Sequence, residues 1–315
     1  MLKQLVNEAR FQLQIKTEGP LLIKSGHATL IGPDMTPVLT YRNGSTEVYL
    51  PGTSLKGVCR SHIEKVIRTL RGDQVVVCNP FNKDGVEQNC GIWFEERKKA
   101  HQNQSLPNEV VYKDSCPACR LFGSTSFIGR ASIGDAYLIA NDNRVLTETR
   151  DGVGIDRLTG GAANRAKFDL EVVISNVTFA TDVLLRNFEI WQLGAMLLFV
   201  QDLADGFIRI GSGKSRGLGA VKGSVTQLAI HHLGTTQGRA PEEIWGLGKF
   251  LGNDSTYGTL PTDSLRVDLL PQVEMRGIRN SQLFSGDNLS HLQQVAIQAF
   301  TARMQEWSAH KSGGA

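Results

Sequence analysis

Alternating and helical hydrophobic periods divide the chain into strands and helices. Phe11, Leu13 and Ile15 alternate with polar residues, which predicts a half-buried first strand. Residues 50–71 begin with a Pro-Gly turn after an extended segment at 47–50, and apolar residues then recur at helical spacing. This pattern predicts an amphipathic helix with a basic polar side. Residues 189–203 are apolar on most faces and predict a second, well-buried helix.

The rest of the chain has shorter periodic segments. We predict strands at about 131–140, 170–179, 207–210 and up to 228, a short strand at 265–270, and a last amphipathic helix at 289–307. Residues 72–115 are polar and irregular, and we interpret them as an insertion between core elements. The glycine-rich segment 151–167 predicts a projecting hairpin or loop.

The start of the basic helix has the features of a phosphate-binding site. We expect Thr53 or Ser54 to cap the helix, and Lys56 and Arg60 place two cations one turn apart near its free N–H groups. A glycine at position 57 is typical of a place where another backbone comes very close. The alternative is an ordinary amphipathic helix with a solvated basic face, and the sequence favours neither.

The segment GSGKSRGLG at 211–219 is similar to a nucleotide-binding loop but fails the test for one. A P-loop requires glycine five positions before its Gly-Lys-Ser, and that position is Ile208. We therefore predict a flexible glycine loop that brings Lys214, Arg216 and backbone N–H groups against an extended anion. A plain β-turn is the alternative.

Composition limits the class of protein without identifying a ligand. The chain has 315 residues, 41% hydrophobic and 21% charged, with a formal net charge of +3. This charge is too small to indicate nucleic-acid binding by itself, so a basic surface has to come from local clustering. We find no membrane-spanning run and no signal-peptide core, and we expect a soluble, cytoplasmic protein with reduced thiols.

The cysteines predict a structural metal site. Cys116 and Cys119 form a CxxC knuckle, and Cys78 and Cys90 lie in the insertion just upstream. Four thiolates suffice for a closed tetrahedral zinc site, with His101 as a reserve ligand. A metal would also order an insertion that has little core of its own. Unconnected free thiols are the alternative. The fifth cysteine, at position 59, is expected to be a small buried hydrophobe.

Four motifs, in this order, resemble the repeat-associated RAMP superfamily, with the closest similarity to the backbone subunit of type III CRISPR effector complexes. They are LPGTSLKGVCR, CPACRLFGSTSFIGRASIGDA, GIDRLTGGAANRAKFDLE and RIGSGKSRGLGAV. The resemblance covers roughly residues 10–228. It implies an α+β fold with a ferredoxin-like (RRM-type) core and a thumb-like hairpin at about 148–170. The zinc-binding insertion predicted from the cysteines then covers about 72–120. Residues 229–315 are then a C-terminal extension of unknown role.

The resemblance also implies partners and site residues. Members of this family stack along a guide RNA in prokaryotic antiviral defence, together with other subunits of the complex, and a thumb kinks the guide at intervals. The guide-binding turn and helix match Ser54, Lys56 and Arg60, and the glycine loop matches Lys214 and Arg216. The thumb motif matches Ile155, Asp156, Arg157, Thr159 and Ala162.

Many members also cut the paired target RNA, and Asp34 falls where cleaving members place an aspartate. RNA supplies its own nucleophile, the 2′-OH, so one carboxylate that holds Mg²⁺ or a similar divalent ion could suffice for an endoribonuclease. An ordinary turn residue after Pro33 is the alternative for Asp34. His27 is a possible counterpart of a histidine found before that aspartate in some relatives. A non-cleaving RNA-binding scaffold subunit is the alternative function.

Overall fold

The computed structural model describes residues 3–26, 32–42, 44–72, 74–84, 88–100, 102, 104–139, 146–234, 238–253 and 256–308. Within these residues the chain is a mixed α+β protein with a large antiparallel sheet. None of the helices in the described ranges combines the length and the apolar character that a membrane crossing requires.

The helices are α1 (Gly52–Arg71), α2 (Cys90–Ala100), α3 (Asn108–Asp114), α4 (Pro117–Phe122), α5 (Ile190–Ala204), α6 (Leu247–Leu251) and α7 (Gly286–Gln305). A 3-10 turn covers Lys214–Arg216. The strands are β1 (Asn7–Thr17), β2 (Leu39–Arg42), β3 (Ser45–Val48), β4 (Gly123–Ser124), β5 (Phe127–Ile128), β6 (Ala131–Ile133), β7 (Tyr137–Leu138), β8 (Thr147–Ile155), β9 (Ala162–Val173), β10 (Thr178–Arg186), β11 (Val221–Ser224), β12 (Gln227–Leu233), β13 (Glu243–Trp245), β14 (Ser264–Arg266), β15 (Gln272–Arg276) and β16 (Arg279–Ser285).

The main sheet is built around the first strand. Its order is β15-β16-β12-β1-β10-β6, with β11 also paired to β1 and β7 to β10. Every one of these pairings is antiparallel. The alternation predicted for β1 is confirmed, because Phe11, Leu13 and Ile15 are buried whereas Arg10 and Gln12 are exposed.

Helices α1, α5 and α7 cover the apolar face of this sheet. Leu55, Cys59, Ile63 and Ile67 recur every four residues along α1 and are all buried. Cys59 is fully buried beside Met196, as predicted for a small hydrophobe, and burial raises the pKa of its thiol. The basic residues of α1 therefore lie on the flanks and outer side of a helix whose core side is fixed.

The insertion is more regular than the sequence indicated. The prediction that residues 72–115 are irregular is wrong over α2 and α3, which bury Phe94 and Tyr112 respectively. These helices are short and mostly polar, so their hydrophobic period is weak. Phe94 of α2 and Val111 of α3 join the main hydrophobic core, so the insertion packs into the body of the protein.

Two predicted strands are divided in the structure. The segment 170–179 is not one strand, because the chain turns between β9 and β10, with Asn176 in the left-handed region at φ 62°. Thr17 fixes this turn by accepting a hydrogen bond from Val177 N at 2.9 Å. The segment 131–140 forms β6 and β7, and 207–210 contributes only the isolated bridge of Arg209 to Ala220. The predicted hairpin is β8 paired with β9.

The C-terminal segment is packed into the same sheet and core. The predicted boundary at residue 228 falls inside β12, which pairs with β1 on one side and β16 on the other. Helix α7 packs against α5, where a Cβ on Gly194 would lie 2.0 Å from the carbonyl oxygen of Ala296. Only glycine allows the two helices to approach this closely.

Candidate metal centre and nucleic-acid interface

The four cysteines predicted as metal ligands converge at one buried point. Cys78 lies in the loop after α1, Cys90 begins α2, Cys116 precedes α4, and Cys119 lies within α4. Their four sulfur atoms all lie within 4.8 Å of one another, and Cys78 Sγ is 3.6 Å from the Sγ atoms of Cys116 and Cys119. With Zn–S bonds of about 2.3 Å, a tetrahedral site has sulfurs about 3.8 Å apart. The site could therefore hold a metal such as zinc. His101 lies outside the described residues.

The surroundings of the cluster favour a negatively charged thiolate centre. Backbone N–H groups donate to sulfur, from Cys116 to Cys90 at 3.5 Å and from Cys119 to Cys116 at 3.4 Å. The Nη2 of Arg60 donates to the Sγ of Cys119 at 3.4 Å. Hydrogen bonds from Cys116 and Cys119 lower the pKa of the Cys78 thiol, whereas burial raises that of Cys116. A bound cation would let all four ionise, because it offsets the burial cost.

Arg60 connects this centre to helix α1. Its Nε donates to the Glu64 carboxylate at 2.8 Å, and its Nη1 donates to the carbonyl of Gly123 at 3.0 Å. Gly123 directly follows α4, which carries Cys119. Arg60 was predicted to contact RNA, but in the structure its guanidinium is occupied by a carboxylate, a carbonyl and a sulfur. Lys56, one turn earlier, is half-buried, and burial together with nearby Arg60 lowers the pKa of its amine.

The start of α1 differs from its prediction in the capping group. Neither Thr53 nor Ser54 caps the helix; Pro51 precedes it without a side-chain cap, and the carboxylate of Asp135 accepts a hydrogen bond from Gly52 N at 2.7 Å. Asp135 is distant in sequence, so no local signal could have indicated it. Ser54 is half-buried in the first turn, which contains no acidic residue.

The close backbone approach is at Gly52 and not at the glycine predicted for it. A Cβ on Gly52 would lie 2.4 Å from the carbonyl oxygen of Ile133. Gly57 is exposed, and a Cβ there would meet no described atom within 4 Å. No packing contact among the described residues therefore requires glycine at position 57, and the surface of the helix is open to solvent there.

The glycine loop lies between α1 and the hairpin. Gly211 and Gly219 have φ near +80°, and a Cβ on either would lie within 2.3 Å of a backbone oxygen, so the loop is tightly fixed. Partial burial and, to a smaller extent, the positive charge of Lys65 on α1 lower the pKa of the Lys214 amine. The guanidinium of Arg216 lies 5.8 Å from the ring centre of Phe168 on β9. The loop thus extends the basic surface from the helix to the hairpin.

The hairpin projects apolar and basic side chains at its tip. Two backbone hydrogen bonds close the turn at the tip. Asp156 N donates to the carbonyl of Gly161 at 2.8 Å, and Gly160 N donates to the carbonyl of Asp156 at 2.9 Å. The Asp156 carboxylate accepts a bond from Leu158 N, which lowers its pKa. Leu158 is 97% exposed, and Arg157 beside it is exposed too. Val153 and Ile155 of β8 are exposed as well, so the hairpin carries several apolar side chains in solvent.

Asp34 lies at the base of this hairpin. It is exposed, and its Oδ2 accepts a hydrogen bond from Asp169 N at 3.1 Å, while Met35 bridges to Leu170. Among the described residues, the only group of three or more metal-ligating side chains is the cysteine cluster, so Asp34 has no preformed carboxylate site around it. His27 lies outside the described residues.

The structure therefore brings the predicted residues together in two groups. Lys56 and Arg60 lie beside the cysteine cluster, on the side of α1 that faces α4. Lys214 and Arg216 lie with the hairpin, and Asp34 is at the hairpin base. The sequence analysis did not single out Lys65 and Phe168, which connect the second group to its neighbours. Basic residues on a helix and one aromatic residue in a strand are too common to indicate this connection.

The sequence matches the model of one protein family. A family model described as the RAMP superfamily matches residues 14–222. No curated protein matches the chain. The matched region runs from within β1 to within β11 and includes the cysteine cluster, the hairpin and the glycine loop.

Proposed function

The chain belongs to the RAMP superfamily, and from this premise we propose that it is a guide-RNA-binding backbone subunit of a type III CRISPR effector complex. Its partners are then the guide RNA, the complementary target RNA and other subunits of the complex. The four buried cysteines hold a structural Zn²⁺ that joins the insertion to α1. Zinc at such a closed site stabilises the fold and takes no part in chemistry.

The order of the core elements supports a ferredoxin-like assignment. Strand β1, helix α1, strands β6 and β10, helix α5 and strand β12 follow one another along the chain. In the sheet the four strands lie in the order β12-β1-β10-β6, all antiparallel. This is the arrangement of a split β-α-β unit, in which both helices cover one face.

The continuity of the basic surface carries the proposal. The positive charge of Lys65 on α1 acts on the Lys214 amine, and the Arg216 guanidinium lies 5.8 Å from the ring centre of Phe168 on β9. We infer from these two links that helix, loop and hairpin form one connected surface. Cations that follow a path, with an aromatic side chain beside them, suit the phosphates and bases of a single strand. The proposed surface continues along α1 to Lys56 and Ser54, near the N-terminus of the helix. In the other direction it continues to Arg157, at the tip of the hairpin.

RNA affinity as a function of salt concentration tests the proposal. Each phosphate contact contributes about 0.7 to the slope of log affinity against log salt for a single strand. Lys214→Ala and Arg216→Ala should each weaken binding and reduce the slope by about this amount. Both side chains are exposed, so the variants should fold.

The matched control is Arg276→Ala, an exposed arginine on edge strand β15 that pairs with Glu274. Its affinity and slope should equal those of the parent protein. An unaltered salt slope in Lys214→Ala and Arg216→Ala, or equal weakening by the control, would refute the proposed RNA surface.

A second candidate function is cleavage of the target RNA, with Asp34 as the catalytic carboxylate. The exposed position of Asp34 at the hairpin base favours it, because the resemblance implies cleavage beside each thumb. The carboxylate oxygen that does not bind Asp169 N would hold Mg²⁺ or a similar divalent ion near the scissile phosphate. The alternative is a scaffold subunit that binds both RNAs without cutting.

Two variants of Asp34 separate these functions in the assembled complex. Asp34→Asn keeps an oxygen that can accept from Asp169 N but loses the negative charge, whereas Asp34→Ala loses both. Both should abolish magnesium-dependent cutting and leave guide binding intact, because the residue is exposed and its loss costs little stability. Equal cutting by Asp34→Asn would remove the carboxylate from the mechanism. Absence of cutting by the parent complex would leave the scaffold function.

A further inference from the structure

A cavity of about 240 Å³ lies between the insertion and the C-terminal segment. Helices α2, α3 and α4 contribute Trp93, Lys113 and Arg120 to its wall, and the end of α7 contributes Arg303, followed in the chain by Trp307. Pockets for drug-sized ligands occupy roughly 300–1,000 Å³, so this cavity can enclose one smaller molecule. We call it the insertion cavity. It shares no residue with the proposed RNA surface.

Trp307 holds two arginine side chains at the wall of the insertion cavity. The guanidinium of Arg120 lies 4.6 Å from the centre of its ring, and that of Arg303 lies 4.7 Å from it. Arg120 is 4% exposed and donates to the carbonyls of Lys113 and Gly258 at 2.6 and 3.4 Å, so its role is structural. Arg303 is half-buried, and its Nε is a buried donor without a described partner. Stacking on Trp307 therefore positions Arg303 without using its N–H groups.

Two charged residues of the wall have partners outside it. The Arg120 guanidinium lies 3.6 Å from the carboxylate of Glu189, which is buried. The Asp114 carboxylate accepts a hydrogen bond from Arg97 at 2.8 Å. Each pair is neutral in itself, so neither determines the charge that a ligand in the cavity would meet.

Three charged side chains of the wall remain, two cations and one acid. Lys113 and Glu306 are exposed and Arg303 is half-buried, and none of the three forms an ion pair with a described residue. The charge of Arg303 acts on buried Asp263, whose two carboxylate oxygens already accept backbone N–H bonds. The two cations suit a phosphate group, whereas the carboxylate of Glu306 can only accept, which suits an amine.

Trp93 gives the insertion cavity an aromatic side. It is half-buried, and the guanidinium of Arg97 lies 4.7 Å from its ring centre, with the ring of Phe94 tilted against it at 4.9 Å. Nucleobases stack on tryptophan rings and on the planes of arginine guanidinium groups. An inorganic oxyanion would use the cations of the wall but neither Trp93 nor Glu306. A phosphate joined to an aromatic, amine-bearing ring would use all of them.

We propose that the insertion cavity binds a single nucleotide, with its phosphate between Lys113 and Arg303 and its base against Trp93. Glu306 accepts a hydrogen bond from the exocyclic amine of the base, as carboxylates do from the N4 amine of cytosine. The cavity therefore prefers cytosine to uracil, which carries an oxygen in place of that amine. The nucleotide is either free or the terminal residue of an RNA. This proposal goes beyond the RNA surface and depends on none of its residues.

Calorimetric titration of the full chain tests the proposal, with CMP, UMP and inorganic phosphate as the probes. CMP should bind roughly fivefold or more tightly than UMP, because a hydrogen bond to a charged group is lost with uracil. Inorganic phosphate should bind more weakly than either nucleotide, since it has no base to stack. A short oligocytidylate that displaces CMP identifies an RNA end as the ligand, and one that does not displace it identifies a free nucleotide.

Two variants with exposed side chains separate the phosphate contact from the base contact. Lys113→Gln should weaken CMP and UMP equally. Glu306→Gln should bind CMP and UMP alike, because an amide can both donate and accept. The matched control is Lys249→Gln, which changes a lysine 5.9 Å from the ring centre of Trp245, outside the cavity wall. That variant should bind both nucleotides as the parent does.

Three results would overturn the proposal. Equal affinity for CMP and inorganic phosphate would leave only an anion site. Equal affinity of the parent for CMP and UMP would show that Glu306 does not contact the base. Equal weakening by Lys113→Gln and Lys249→Gln, or no binding of nucleotide at all, would show that the cavity is not the site. None of these results would affect the RNA surface, which is tested through Lys214 and Arg216.

Discussion

At the scale of single residues, Arg60 connects the cysteine cluster to the helix that we propose as part of the RNA surface. A zinc ion with four thiolates carries a net negative charge, which is costly to bury without compensating donors. Arg60 supplies one such donor and at the same time holds Glu64 and the Gly123 carbonyl. Only a planar guanidinium can reach three acceptors in this way. Its first task is therefore to stabilise the centre.

The prediction for Arg60 follows from these three bonds. Arg60→Lys keeps the positive charge but loses the planar guanidinium that donates to three acceptors. We therefore expect zinc to leave the folded protein faster when a chelator competes for it. The salt dependence of RNA binding should change less than in Lys56→Ala, because lysine preserves charge near phosphate. Zinc release followed by a colorimetric chelator measures the first effect, and Lys56→Ala is the control with unchanged zinc release. Parent-like zinc release from Arg60→Lys would contradict this role.

At the scale of elements, two glycines within helices show opposite uses of the same residue. Gly194 of α5 is required by the approach of α7, because a Cβ would collide with the Ala296 carbonyl. Gly57 of α1 meets no described atom, yet glycine in a helix costs about 1 kcal/mol relative to alanine. No described neighbour of Gly57 explains this cost. The close approach of an RNA backbone, as proposed, would explain it.

Gly57→Ala should therefore separate stability from binding. We expect the free energy of unfolding to rise by up to about 1 kcal/mol, since alanine favours the helix and the added methyl meets open space. RNA affinity should fall, because the methyl occupies the approach of the strand. Denaturant unfolding and RNA titration measure the two effects. Gly194→Ala is the contrasting variant, which should be destabilised. Unchanged RNA affinity in Gly57→Ala would show that the strand does not pass close to position 57.

Local patterns predicted the elements whose burial follows a regular period. The alternation at Phe11, Leu13 and Ile15 and the four-residue spacing in α1 need no tertiary information. Features that depend on distant residues were not predictable: the Asp135 cap of α1, and the turn at Asn176 that Thr17 stabilises. The cysteine cluster was predictable because CxxC is a specific signal, whereas the approach of Arg216 to Phe168 depends on tertiary structure that no local pattern indicates.

At the scale of the whole molecule, the sheet separates two surfaces. The cysteine cluster and β6 belong to one edge of the sheet, and the β15–β16 hairpin forms the other edge. The C-terminal segment contributes β12, β16 and α7 to the common core and carries none of the predicted site residues. An RNA strand bound as proposed would leave the β15–β16 edge uncovered.

Hydrogen–deuterium exchange of the full chain, with and without guide RNA, tests the central claim most directly. RNA should slow the exchange of amides in the first turn of α1, the glycine loop at 211–219 and the hairpin tip at 156–161. Exchange in β15 and β16 should not change, because these strands lie at the far edge of the sheet. Protection confined to β15 and β16, or no protection in α1 and the glycine loop, would contradict the assignment of this surface to RNA.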